Sequence, residues 1–169
     1  LKKENVVTFL NVGRHDERQK KLTRIIYAAE QLKKDNKKFR IIFIGDGPDT
    51  NLYKEEVKNK KLEHEIVFLG RKKNPYPYYK LCDCVVLSSD YEGYPVVYLE
   101  SFILDKPIIT TNVSDSEQIE GQGIVVEKDE TEIYKAMKDF IENGYQITKQ
   151  FDAKDYNNSI FNKLQEIIG

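Results

Sequence analysis

Cys84-Val85-Val86-Leu87-Ser88-Ser89-Asp90-Tyr91-Glu92-Gly93-Tyr94-Pro95-Val96-Val97-Tyr98-Leu99-Glu100 is the stretch on which the reading of this chain turns. Its first four residues form the short apolar run of a fully buried strand. Beyond them Val96, Val97, Leu99, Phe102, Ile103 and Leu104 recur at helical spacing, which predicts a helix. The stretch is therefore a strand-to-helix turn, the place where a parallel sheet presents its binding edge. Pro95 suits the first helical position, where its missing N–H would have had no partner. The amides of Gly93, Tyr94, Val96 and Val97 then stand at the positive end of a helix dipole, which favours an anion. Glu92 falls in the turn, and Glu100 about five residues into the helix, roughly 7 Å along its axis. Two carboxylates framing a phosphate-seeking helix end suit a ligand that carries both hydroxyls and phosphates.

Upstream, Val6–Val12 reads as a first buried strand, followed by the polar turn Gly13-Arg14-His15-Asp16-Glu17-Arg18-Gln19-Lys20. A helix is predicted from about Lys21 to Lys34, with Leu22, Ile25, Ile26, Ala29 and Leu32 on one face. Arg40–Ile44 is a second strand ending in Gly45-Asp46-Gly47-Pro48, and Asp49–Lys60 a charged surface helix with few apolar residues, Leu52, Tyr53 and Val57. Glu65–Leu69 is a third strand ending at Gly70-Arg71-Lys72-Lys73, and a Tyr-rich helix over Tyr76–Leu81 leads into the stretch quoted above. Downstream come strands at Pro107–Thr111 and Gly123–Val126. A helix over Thr131–Asn143 turns Ile133, Met137, Phe140 and Ile141 inward and stops at Gly144. In a last helix, Asp155–Ile168, the apolar residues Ile160, Phe161, Leu164, Ile167 and Ile168 need a partner. Strands alternating with helices argue an α/β fold with a Rossmann-like, doubly wound, mostly parallel six-stranded sheet. In the commonest strand order of that class, strands one and four are neighbours at the switch point. Gly13–Lys20 and Asp90–Glu100, the two most polar turns, would then face one cleft.

The 169 residues, 40% hydrophobic and 33% charged, make one domain of globular composition spanning 1–169. No run of 18 apolar residues occurs, so no membrane span is expected. Leu1-Lys2-Lys3-Glu4 leads into a strand, so no signal peptide is expected, and a first residue other than Met suggests a piece of a longer chain. Residues 1–84 hold 20 Lys/Arg against 12 Asp/Glu, and residues 85–169 hold 7 against 16. Solvated helix faces account for that asymmetry most simply; a surface for phosphates or anionic lipid is the sharper alternative. Nucleic acid is disfavoured because no stacking aromatics interleave the basic runs. Cys82 and Cys84, at the mouth of a strand, are expected to place both side chains on one face as core residues, which points to a reducing, cytoplasmic setting. His15 and His64 match no metal-ligand spacing.

Arg14 and Lys20 would bring two cations to the phosphate-seeking helix end, a planar fork and a movable point charge. Such a clamp stabilises charge developing on a leaving phosphate without a metal, and no Asp-x-Asp pair offers ligands for a bridging cation. Spacing alone does not choose Lys20 over its neighbours Arg18 and Lys21. Gly45-Asp46-Gly47-Pro48-Asp49-Thr50 mimics a dinucleotide fingerprint, but it follows the second strand and Thr50 takes the third glycine's place, so a structural turn is the better reading.

Five segments together resemble one family: Asn11-Val12-Gly13-Arg14 with Lys20-Lys21, Ile42-Phe43-Ile44-Gly45-Asp46-Gly47-Pro48, Val67-Phe68-Leu69-Gly70, Tyr79–Leu87 leading into Ser88-Ser89, and Glu92–Pro107, whose Glu92 and Glu100 fit an E-x7-E pattern. In that order the chain is similar to the C-terminal, donor-binding half of a GT-B fold, as in the large retaining, GT4-like glycosyltransferase family. The resemblance implies a domain that binds a nucleoside-diphosphate sugar, UDP-sugar above all. The enzyme would be a retaining hexosyltransferase serving a glycan or lipid-linked acceptor in cell-envelope or capsular polysaccharide synthesis. The acceptor would sit on an N-terminal domain absent from this chain, so the isolated domain is expected to be inactive. It further implies no cofactor and no metal, and a cytoplasmic protein with peripheral association at the inner face of the membrane.

Residue by residue, the resemblance gives Arg14 and Lys20 the diphosphate and Glu92 the transferred sugar's hydroxyls. Gly13 and the amides of Gly93, Tyr94, Val96 and Val97, on either side of Pro95, would hold phosphate, Glu100 the ribose hydroxyls, and Gly70 and Arg71 the base. The chain departs from the pattern in three places. One extra residue separates Arg14 from the lysine, Pro95 stands at a frequent glycine, and Ser114-Asp115 replaces a glycine pair after Thr110-Thr111-Asn112. Two other readings carry the same motifs: a non-catalytic nucleotide-sugar-binding regulatory module, and a UDP-sugar 2-epimerase-like enzyme with different acid–base residues.

Overall fold

The computed structural model describes residues 6–93, 96–113 and 116–168, with the backbone alone for residue 117 and for much of the last helix. Among the described residues there are six strands, β1 (Val7–Val12), β2 (Phe39–Ile44), β3 (Ile66–Phe68), β4 (Cys84–Leu87), β5 (Ile108–Thr111) and β6 (Gly123–Val126), and six helices, alternating as far as β5. The helices are α1 (Leu22–Lys34), α2 (Thr50–Asn59), α3 (Tyr76–Leu81), α4 (Val96–Ile103), α5 (Glu130–Asn143) and α6 (Ala153–Ile168), and a 3-10 turn covers Ser116–Ile119. All strands pair in parallel in the order β3-β2-β1-β4-β5-β6. This is the doubly wound sheet of a Rossmann-like fold, with its switch point between β1 and β4, where Phe9 lies opposite Cys84 and Leu10 opposite Val85. Among the described residues, no helix is long and apolar enough to cross a membrane.

Alternation along the strands divides the core in two. Phe9, Ile41, Phe43, Val86 and Ile109 face one layer with Ile25, Ile26 and Leu32 of α1, Tyr53 of α2, and Ile133, Met137 and Phe140 of α5. Leu10, Ile42, Val85, Leu87 and Ile108 face the other, with Tyr79 of α3 and Tyr98 and Phe102 of α4. Each such side chain, taken fully out of water, contributes ~1.5–3 kcal/mol. Asn11 is polar yet 4% exposed, because its side-chain nitrogen donates to the Val86 carbonyl at 2.8 Å and so ties β1 to β4.

Two expectations are corrected. Cys82 and Cys84 do not share a face: Cys82 packs among the α3–α4 layer and Cys84 among the α1–α5 layer. Cys82 caps α3 and precedes the strand, so strand alternation does not relate the two. Both are free and buried, and burial pushes the Cys82 thiol up to about 12. Nor does α4 bury the predicted stripe. Tyr98, Ser101 and Phe102 face the sheet, while Val96 and Ile103 are more than half exposed. The polar Ser101 can lie inward because its hydroxyl donates to the Val97 carbonyl. The expected apolar stripe of α6, Ile160 to Ile168, lies outside the described side chains.

The glycine pattern after β2 is a packing device. The His15 amide donates to the Asp46 carbonyl and the Asp49 amide to the His15 carbonyl, both at 3.1 Å, interlocking the turns after β1 and β2. A Cβ on Gly45, whose φ is +141°, would stand 1.7 Å from the Gly13 carbonyl oxygen. His15 is fully buried there, edge-on to Phe43, Tyr53 and Phe68, with Nδ1 2.9 Å from the Thr50 hydroxyl. Burial lowers its pKa below 6.5, against the opposing pull of Asp46.

Candidate donor-binding site

The turns after β1 and β4 meet at the switch point and are stitched together. The Asp90 amide donates to the Gln19 carbonyl at 2.8 Å, and Gln19 Nε2 donates to the Tyr91 carbonyl at 3.2 Å. The Ser88 hydroxyl reaches the carbonyls of Lys20 and Lys21, and Arg24 Nη1 donates to the Ser88 carbonyl at 2.9 Å and pairs with Asp90 Oδ1 at 2.7 Å. Ser88 and Ser89 are polar residues continuing an apolar strand, and both are nearly inaccessible. They stay buried because each finds partners across this seam.

Lys20 and Glu92 are brought together in it. Lys20 Nζ lies 2.6 Å from Glu92 Oε1, and the Ser89 hydroxyl donates to the same oxygen at 2.6 Å. The Glu92 side chain is 8% exposed and that of Lys20 19%. Lys20 also flanks Gly13, whose Cβ position would be 3.7 Å from Lys20 Cε. Local backbone decides between the adjacent lysines. Lys21 sits at φ 50°, the left-handed cap of α1, and its ammonium swings to Asp90 at 3.8 Å. Arg18 points outward, 88% exposed.

A pocket of about 320 Å³ opens beside this pair at the ends of β1 and β2. Gly13, Arg14, Arg71 and Lys72 line it with Asp46, and Val12, Ile44 and Gly45 form its wall. Arg14 is 66% exposed and only loosely paired, 4.0 Å from Asp16, so its guanidinium is available to an anion. Asp46 is held below the usual carboxylate range by the Thr50 hydroxyl and the Gly47 amide, with Arg71 adding to the effect. Gly70 lies just behind, at φ +67°, its carbonyl accepting from the Gly45 amide at 3.0 Å.

Glu100 stands apart, on α4 and half-buried, its Oε2 accepting the Tyr79 hydroxyl at 2.6 Å. Val96 and Val97 open α4, and Gly93 is exposed with nothing near its missing side chain. Tyr94 and Pro95 lie outside the described residues. The fold thus gathers Gly13, Arg14 and Arg71 in one pocket and Lys20 with Glu92 at its side, and leaves Glu100 as a separate carboxylate on the α3–α4 face. Sequence reasoning missed Ser89, Arg24 and Tyr79 as supports. Ser89 carried a faint signal as the second of two serines that follow a wholly apolar strand.

The fold is that of a Rossmann-like GT-B C-terminal domain, and cations and carboxylates meet at its switch point. The model of the glycosyl transferases group 1 family matches residues 1–158, and the chain belongs to that family. It is 29% identical over 139 residues to a Campylobacter jejuni enzyme named N-acetylgalactosamine-N,N'-diacetylbacillosaminyl-diphospho-undecaprenol 4-alpha-N-acetylgalactosaminyltransferase, covering 79% of this chain and 37% of that one. A crystal structure of the C-terminal domain of a glycosyl transferase group 1 family protein from Francisella tularensis is 27% identical, with a TM-score of 0.70 over 81% of this chain and 76% of that one. Anabaena Alr3699/HepE in complex with UDP shares the fold at 18% identity, with a TM-score of 0.78 over 96% of this chain and 49% of that one. The chain spans well under half the length of the curated relatives it matches.

Proposed function

We propose that this chain is the donor-binding half of a glycosyltransferase that moves a hexose from a UDP-sugar to a glycan or lipid-linked acceptor with retention, in cell-envelope polysaccharide synthesis. The observation that carries the reading is the seam itself: Lys20 paired with Glu92 and flanking Gly13, with Arg14 opening onto the adjoining pocket. Arg14 and Lys20 neutralise the diphosphate as the glycosidic bond breaks, which is where a preorganised charge lowers the barrier. Glu92, its Oε1 fixed by Lys20 and Ser89, keeps Oε2 for the hydroxyls of the transferred sugar. Glu100 takes the ribose hydroxyls, and Gly70 and Arg71 flank the base. UDP and a diphospho-lipid acceptor are supported by the Anabaena complex and the Campylobacter relative, which carry these groups in their own names.

Calorimetric titration of UDP into the protein tests the reading. Saturable binding is expected, weakened by about 1.5–3 kcal/mol in Arg14→Ala, the range for hydrogen bonds to charged groups. EDTA leaves it intact, because the clamp is made of side chains. Binding that requires a divalent metal, or that ignores Arg14→Ala, contradicts the proposal.

A further inference from the structure

Tyr79 is a fully buried residue on α3, six residues long, and its ring is enclosed by the core layer that also contains Leu10, Val85, Tyr98 and Phe102. A phenol so enclosed must find a partner for its hydroxyl, and this one reaches out of the core to Glu100 Oε2 at 2.6 Å. The C-terminal end of α3 that carries it is tied down as well. The Cys82 amide caps α3 on the Tyr78 carbonyl at 3.0 Å, and Lys106 Nζ clasps the Cys82 carbonyl at 2.9 Å. Burial and the neighbouring Glu100 carboxylate push the Tyr79 hydroxyl's pKa far up, so it remains a donor across the working pH range.

Glu100 for its part is half-buried, and among the described residues it enters no ion pair. A carboxylate of that kind is poorly explained as a surface charge, and its remaining oxygen, Oε1, is left to accept from a ligand. From this we propose that Tyr79 is a positioning residue for nucleotide selection: its hydroxyl fixes the Glu100 carboxylate so that the vicinal diol of a ribose, and not merely the diphosphate, decides whether a ligand binds. The inference rests on the reading of Glu100 as the ribose contact. The physical reason is preorganisation. A glutamate has three side-chain torsions to freeze, whereas a tyrosine anchored in a packed core has none left, so the hydrogen bond sets the carboxylate's orientation before the ligand arrives.

The test compares UDP, 2′,3′-dideoxy-UDP and inorganic pyrophosphate as ligands of the protein and of Tyr79→Phe, Glu100→Ala and the double variant. Tyr79→Phe keeps the ring and removes one oxygen. It is expected to reduce the preference for UDP over the dideoxy analogue about fivefold, with pyrophosphate affinity within about twofold of the parent. The double variant should discriminate no worse than Glu100→Ala alone, since Tyr79 acts through Glu100. A merely structural tyrosine would weaken all three ligands together, and that outcome with a selective Glu100→Ala overturns the inference while sparing the ribose reading. Equal losses for UDP and pyrophosphate in Glu100→Ala overturn both. If Tyr79→Phe melts below the assay temperature, the three ligands are compared at a temperature below its melting point, where an unchanged preference for UDP over the dideoxy analogue overturns the proposal.

Discussion

A single oxygen, Glu92 Oε1, accepts from both Lys20 and Ser89, so the three side chains act as one unit and the carboxylate's second oxygen is the one left to work. Arg14 is different in kind, a largely exposed guanidinium with one distant partner, which is why its removal should cost ligand affinity and little stability. His15, next to it in sequence, has the opposite character. Buried among three aromatic rings with its pKa lowered by burial, it folds as the neutral imidazole. The unfolded chain takes up a proton at 6.5 and the folded protein only below that, so stability is complete above about pH 6.5 and falls as the pH drops toward the lowered folded value. The slope in that window is at most about 1.4 kcal/mol per pH unit. Melting temperatures followed from pH 7.5 to pH 5 should show the decline in the parent and not in His15→Gln; parallel curves would remove His15 as its cause. The Asp46 and Glu30 carboxylates, both held low by their partners, act only at more acid pH and do not confuse the window.

At the scale of elements, the two glycines after β2 and β3 both have positive φ but face different constraints. Gly45→Ala puts a methyl 1.7 Å from the Gly13 carbonyl and must force apart the turns after β1 and β2. Gly70→Ala meets nothing within 4 Å and bears only its left-handed backbone, a cost of about 1–2 kcal/mol. Chemical denaturation should rank Gly45→Ala far below Gly70→Ala, and comparable midpoints would refute the interlocked-turn account. Elements of this chain were legible because apolar strands and amphipathic helices alternate cleanly, and β4 and α3 fall where periodicity puts them. What misled was the register of side chains at element ends. Cys82 belongs to a helix cap rather than a strand, and α4 turns a serine inward because an i−4 carbonyl satisfies its hydroxyl. Periodicity counts hydrophobic residues and is blind to such local hydrogen bonds.

Across the whole molecule, the strand order is what turns distant residues into a site. Lys20 and Glu92 are 72 positions apart in sequence and meet only because β1 lies beside β4. That juxtaposition followed from the switch-point rule together with the polarity of the two turns, so the cleft was legible before any side chain was placed. The supports were not: Arg24 on α1 and Tyr79 on α3 make their hydrogen bonds across elements, and nothing in a linear pattern marks such a partner. The central claim is that a nucleoside diphosphate binds along this seam, and amide chemical shifts recorded by NMR during titration with UDP test it most directly. The account predicts that the amides that move are those of Gly13, Arg14, Gly70, Arg71, Glu92, Gly93, Val96, Val97 and Glu100, with β6 and α5 unchanged. Perturbations confined to the β5–β6 side of the sheet, or none at saturating UDP, would contradict it.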